Sequence, residues 1–424
     1  MRAGAPRLPT GFGWFMSAQF LSALADHALL IVTIAHLQLL GAPLWWAPLL
    51  KFSFTLSYVL LAPGIGALAD AACKRRLMMA MNALKFLGAL ALLCGLHPLA
   101  AFALVGLGAS AYAPAKYGLL TESVPPAALV AANGWAESAV VLSVLLGTAL
   151  GGLLVSPLWL QAAAASLTLP GASSPALNVS LACVLALYAL AAFCHLGIVP
   201  SGVRHARRSH APAQLLADFR RANKRLWRDR SGGLSLAMTT VFWGVGALLQ
   251  FAVLLWAAQQ LALGLDQAAW LQGVVALGVV VGAVLVARRL RLRHATAVLG
   301  LGLLMGALMA SAPLIHDWRV AVPVLLLIGG LGGMLLVPMN ALLQHRGHRL
   351  LSAGQSIAVQ GFNENLSVLL SLGLYTVLLA LHVPVTAIMV LAGVVLAGFS
   401  AWTLLRRRRP PGLQTLSGHL LRRD

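Results

Sequence analysis

Long apolar stretches follow one another from Phe12 to Leu405, separated by short polar or basic joints. Each is long enough to cross ~30 Å of hydrocarbon as a helix, which takes ~20 residues. The strands of a membrane barrel would alternate apolar and polar residues, and these stretches do not. The pattern predicts twelve transmembrane helices, over 14–39, 45–69, 77–95, 98–120, 129–154, 177–199, 233–261, 267–288, 295–313, 319–343, 354–380 and 383–405. The first stretch contains Asp26 and is not followed by a small-residue cleavage site, so it is expected to remain as the first span.

One long polar segment, 200–232, cuts the pattern into six spans and six spans. The expected organisation is an N-terminal six-helix bundle (1–199), a cytoplasmic basic linker (200–232), a C-terminal six-helix bundle (233–409) and a polar tail (410–424). Within the linker, Leu215, Leu216, Phe219 and Leu226 recur at helical spacing among cations, the pattern of an interfacial helix or of a solvated basic linker. The two halves look alike. "APAKYGLL" (113–120) and "VPMNALL" (337–343) close the fourth and tenth spans, and "NGWAE" (133–137) answers "QGFNE" (360–364). Asp26 falls opposite Gln250, Lys116 opposite Asn340, and Glu137 opposite Glu364. Such internal repeats are how many transporters are built.

Composition agrees with a membrane protein: 60% of residues are hydrophobic and 9% charged, against about a quarter charged in soluble proteins. The net charge of +20 raises the question of nucleic acid, but its placement answers it. "KRR" (74–76), the linker, "RRLRLRH" (288–294), "HRGHR" (345–349) and "RRRR" (406–409) all fall on one side of a twelve-span chain. That is the positive-inside distribution; it puts both termini in the cytoplasm and sets cations beside anionic membrane lipids rather than nucleic acid. Four scattered cysteines show neither disulfide nor metal spacing. The sequence carries no metal or cofactor motif and no hydrolase motif. The His-x4-Asp spacing in "HLLRRD" (419–424) has no core around it to make an enzyme site.

Five ionisable residues fall inside spans: Asp26, Lys85, Lys116, Glu137 and Glu364. A charge at the bilayer centre costs ~2.5–3.5 kcal/mol even on the lenient insertion scale, so each needs a partner or a wet cavity. Lys85 shares a helix face with Asn82 and lies near enough to the cytoplasmic end to snorkel. His27 adjoins Asp26, but adjacent helical positions point about 100° apart. Gly147 and Gly151, and Gly278 and Gly282, are spaced for close helix approach and are expected to supply sliding surfaces. Pro114 and Pro338 sit at matching points of the fourth and tenth spans, where they are expected to kink both helices.

"GALADAACKRR" (66–76) resembles the loop signature of the major facilitator superfamily, through Gly66, Asp70, Lys74 and Arg75, with Cys73 in place of its second glycine. The role implied is a conformational latch. Together with "AQFLSALADHALL" (18–30), "AANGWAES" (131–138), "VFWGVGALLQF" (241–251) and "SIAVQGFNENL" (356–366), the chain resembles the bacterial lysophospholipid transporter family. The resemblance implies an all-α fold of two pseudo-symmetric six-helix bundles in the bacterial inner membrane. It implies transport of lysophospholipid toward the cytoplasmic leaflet, where a peripheral acyltransferase rebuilds diacyl lipid. Asp26, Lys116 and Glu364 stand where that family places polar residues linked to substrate, and Glu137, Gln250 and Asn340 complete the candidate set. Two departures stand out: the family often has arginine at the position of Gln250, and 155–177 is a longer far-side loop. The alternatives are a proton-coupled exporter of amphipathic drugs and a non-transporting scaffold for the acyltransferase.

Overall fold

The computed structural model describes residues 11–123, 129–166, 175–200, 212–289, 297–351 and 353–408. The side chains of Gly66, Asp70 and Glu137 lie outside that description, as does the tail 410–424. The described chain is helical and holds no strand. Its helices are α1 (Phe12–Leu39), α2 (Trp46–Ala71), α3 (Lys74–Leu93), α4 (Pro98–Ser123), α5 (Leu129–Leu154), α6 (Pro157–Ser166) and α7 (Pro175–Leu196) in the first half. After α8 (Pro212–Arg228) follow α9 (Arg230–Gln260), α10 (Leu265–Arg289), α11 (Leu301–Ala310), α12 (Trp318–Leu350), α13 (Ala353–Ala380) and α14 (Val385–Arg408). Eleven described spans are long and apolar enough to cross a membrane. The predicted fifth span is α5, whose described apolar stretch is Ala139–Leu154.

Helix ends follow from local sequence. α1 and α3 both stop at a left-handed glycine, Gly41 (φ 65°) and Gly95 (φ 90°). In each, the next residue's N–H reaches back to a carbonyl in the last turn, Ala42 to Leu37 and Leu96 to Ala91. At the basic end, Asp229 caps α9 by accepting the Gly232 N–H at 2.7 Å. The 155–177 insertion contributes α6. Trp159 of α6 donates its indole N–H to Ser180 of α7 at 3.0 Å, which ties the extra helix to the bundle.

The packing repeats. In the first half α1 lies on α5 and α7, α2 on α4, and α3 on α4 and α7. In the second half α9 lies on α13 and α14, α10 on α12, and α11 on α12 and α14. The halves meet through α2 against α13 and α5 against α10, two contacts that the repeat exchanges. The glycines have a different place from the one expected. A Cβ on Gly147 would lie 2.6 Å from the Leu24 carbonyl of α1, and Gly278 and Gly282 meet the backbone of α12 around Gly330. All of these contacts lie within one half, so these glycines lock each bundle rather than let the two slide. In α5, Gly152 faces across, toward Asp266 and Ala269 of α10, and in α13 Gly373 faces Phe52 of α2. Pro114 and Pro338 sit inside continuous helices, as do Pro63 and Pro323.

One apolar core joins the two halves at the end away from the basic loops, through Ile31, Ile34 and Leu50 on one side and Leu248, Phe251 and Leu372 on the other. At the basic end the cores separate. Phe15, Met78 and Leu120 belong to a cluster confined to the first half. Met238, Leu335 and Met339, and Leu226, Leu343 and Val359, form clusters confined to the second half and α8. Among the described residues, the hydrophobic effect therefore joins the cores of the halves at the far end, while the buried clusters at the basic end stay within one half, where α8 also touches α2.

These contacts predict opposite effects for two glycines. Gly282→Ala should lower the thermal midpoint of the purified protein, since overpacking costs ~1–3 kcal/mol. Gly246, which has open space where a Cβ would go, should tolerate alanine or gain ~0.5–1 kcal/mol. Melting curves of both variants in one detergent check the pair.

Candidate functional site

Asp26 sits in the middle of α1 and is 18% exposed. Its Oδ2 pairs with Nζ of Lys85 from α3 at 2.6 Å, and its Oδ1 accepts the Tyr188 hydroxyl of α7 at 2.6 Å. Lys85 is only 2% exposed. Its ammonium also donates to Ser22 at 2.8 Å and lies over the rings of Tyr112 and Tyr188, at 5.3 and 5.6 Å. The expectation that Lys85 snorkels is therefore corrected: its ammonium turns inward because Asp26 offers the charge that water would otherwise supply. Asn82, one turn earlier, donates to the Tyr188 carbonyl at 2.9 Å and fixes α7 beside the pair. Behind it, His195 bonds the Ala191 carbonyl through Nδ1 at 2.6 Å and meets the Tyr112 hydroxyl through Nε2 at 3.2 Å. The Cβ of His27 lies close against Gly147 of α5.

A second polar station lies in the other half. Gln360 and Glu364 are one turn apart on α13, and the Gln360 amide donates to Glu364 at 2.8 Å and to Asn340 of α12 at 3.1 Å. Thr239 and Trp243 of α9 stand beside the same carboxylate. Glu364 thus has neutral donors where Asp26 has a cation. The next residue inward on the sequence, Asn363, faces away. It bonds Asn223 and Trp227 of α8 at 2.9 and 3.0 Å.

The remaining candidates divide. Lys116 of α4 is buried, 8% exposed, with its ammonium 4.3 Å from the centre of the Tyr117 ring. Gln250 accepts a hydrogen bond from the Gln272 side chain on its backbone carbonyl. Gln250 stands where the resemblance implies an arginine, and the cation that pairs with Asp26 is Lys85. Asn340 and Glu364 are brought together through Gln360, whereas Asp26 belongs to its own cluster. The side chain of Glu137 lies outside the described residues, as do those of Gly66 and Asp70. Of the loop signature, Lys74 pairs with Glu122 of α4 at 3.0 Å and Arg75 donates to the Ile198 carbonyl at 3.2 Å. A small apolar cavity of about 110 Å³ lies at the far end, between Ile34 and Pro48 of one half and Phe251, Leu254 and Tyr375 of the other.

Tyr188, Ser22 and Tyr112 are the partners that sequence reasoning missed. A tyrosine in the middle of "VLALYALAAF" (184–193) is a signal that a buried carboxylate needs a donor nearby.

The model for the major facilitator superfamily matches residues 9–366. The chain belongs to that superfamily. This major facilitator protein is 39% identical over 388 residues to the lysophospholipid transporter LplT of Yersinia enterocolitica serotype O:8 / biotype 1B, a match that covers 91% of each chain. The lysophospholipid transporter LplT of Yersinia pestis strain Pestoides F is 38% identical over 389 residues, with the same coverage. The resemblance read from the sequence is borne out at the level of the family. Among solved structures, a bacterial homologue of the human lysosomal transporter Spinster, in an inward-facing and unoccupied conformation, superposes with a TM-score of 0.69. It is 15% identical and covers 95% of this chain and 98% of its own, a likeness of fold.

The Asp26–Lys85 pair predicts a specific rescue. Removing one partner of a buried pair leaves an uncompensated charge and costs ~3–5 kcal/mol. Lys85→Met alone should therefore sharply lower folded yield and thermal midpoint. Asp26→Asn with Lys85→Met should recover most of both, as measured by fluorescence-detected size exclusion and melting.

Proposed function

We propose that this protein carries lysophospholipids across the bacterial inner membrane toward the cytoplasmic leaflet, by alternating access between its two bundles. Near-full-length identity to proteins that bear the name of lysophospholipid transporter carries the reading. The buried charges support it, because a scaffold would gain nothing by keeping acids in hydrocarbon. The same identity does not favour a drug exporter, and it makes the protein a transporter rather than an enzyme.

The substrate has a charged headgroup and one acyl chain. Lys116 is the candidate cation for the headgroup phosphate, acting as a point charge. Asp26 is the candidate acid for an ethanolamine ammonium: both its oxygens are already held, yet each keeps a lone pair for a further donor. Glu364, with Gln360 and Asn340, forms a second polar stop in the less charged half, and Gln250 is assigned to the same passage. The acyl chain goes with that half, where each buried CH₂ contributes ~0.8 kcal/mol. Glu137 is the repeat partner of Glu364 and is assigned to the same passage. Basic loops mark the cytoplasmic face and put both termini there. The separated cores at that end then correspond to an inward-facing state. Gly66, Asp70, Lys74 and Arg75 act as the latch between states, with Lys74 anchored on α4. A peripheral acyltransferase on the cytoplasmic side consumes the delivered lipid.

Uptake of labelled lysophosphatidylethanolamine into spheroplasts with and without this protein is the test. Lys116→Ala should reduce uptake about tenfold or more at unchanged expression, as loss of a contact to a charged group worth ~1.5–3 kcal/mol implies. Full activity in that variant removes the phosphate role. Uptake indifferent to the whole protein, alongside altered drug tolerance, overturns the substrate.

A further inference from the structure

The linker helix α8 has a divided surface. Phe219, Ala222, Asn223 and Leu226 turn toward the second bundle, where Leu226 is fully buried and Phe219 meets Phe362 edge-on at 5.1 Å. Of the linker read as an interfacial helix or a solvated basic segment, 212–228 is a helix, and protein covers much of its apolar face. Three polar ties hold it there: Trp227 and Asn223 on Asn363, and Arg346 of α12 on Asp229 through two bonds of 3.2 and 3.3 Å. The opposite face carries Arg220, Arg221, Lys224, Arg225 and Arg228, all exposed. Asp218 is the one acid among them and takes a single bond from Arg221. Leu216 and Trp227 flank this cationic face and are exposed as well.

α8 packs against α9, α12 and α13 at their basic ends and is tied there to Asn363 and Arg346. A cationic helix beside the ends of membrane-spanning helices stands where anionic lipids attract juxtamembrane Lys and Arg.

We infer that the outer face of α8 is a docking surface for the headgroups of anionic phospholipids. Five cations on one face meet phosphates from the leaflet while Leu216 and Trp227 rest among the upper acyl carbons. Because Asn363 adjoins Glu364, a lipid seated on α8 also steadies the turn of α13 that carries the acid. The inference concerns the leaflet rather than the transported molecule, so it stands or falls apart from the transport reading.

Hydrogen exchange of the α8 amides in the full-length protein is the test, in nanodiscs of phosphatidylcholine alone or with phosphatidylglycerol. Phosphatidylglycerol should slow α8 exchange about fivefold or more, since one cation near an anionic surface contributes roughly that factor. The effect should shrink as salt rises. It should vanish in the variant Arg220→Gln, Arg221→Gln, Lys224→Gln, Arg225→Gln, whose inner ties are intact. Equal exchange in the two lipids overturns the inference and leaves an acidic protein as the occupant. Equal protection by inorganic phosphate in phosphatidylcholine overturns it in favour of a soluble anion. Both comparisons use the wild-type chain, so they decide the matter even if the variant fails to fold.

Discussion

Everything polar in this molecule answers to the cost of holding charge in hydrocarbon. Lys85 shows the answer most fully: a carboxylate at 2.6 Å, a hydroxyl at 2.8 Å and two aromatic faces surround one buried ammonium. Pairing alone does not recover the desolvation of two ions; the additional hydrogen bonds are what make such a pair tolerable. The arrangement then dictates much of the first bundle. α1, α3, α4 and α7 must converge on one point for the ammonium to be enclosed, and Gly147 lets α1 and α5 approach closely beside it.

That pair is built inside one half, and the same is true of its counterparts. Lys74–Glu122 joins α3 to α4, Arg346–Asp229 joins α12 to the start of α9, and Glu364 takes its donors from α9 and α13. Among the described residues, the apolar core that the halves share lies at the far end. Under the proposed alternating access, rocking one half against the other about that end would exchange apolar contacts and leave these ion pairs intact. Charged pairs that had to break on every cycle would add several kcal/mol to the barrier. Rigid bundles with internal charges and an apolar seam are therefore the low-barrier design for alternation.

The spans were legible in the sequence because a bilayer forces helices of one length and one composition. The repeat was legible too, since "NGWAE" and "QGFNE" stand at matching places and the helix pairings of the two halves agree. The role of Lys85 was not. Its nearness to a basic loop along the chain read as an escape route, whereas the position of Asp26 across the bundle decides where the ammonium goes. The glycines were misassigned for the same reason. Spacing along one helix reports that a close approach exists, but not which helix approaches, and only Gly152 of those in α5 faces the other half.

The replacement of an expected arginine by Gln250 gains its meaning from this pairing. A cation on α9 facing Asp26 would set an ionic bond between the two halves, to be broken whenever they part. Lys85 places the cation on α3, in the same half as the acid, so the ion pair does not cross between the two halves. The carboxylate keeps 18% of its surface exposed while its cation keeps 2%. The acid is thus the accessible member of the pair, as the proposed role toward a ligand's positive group requires. Charge balance and access are divided between two residues, a division that a single arginine reaching across the interface cannot provide.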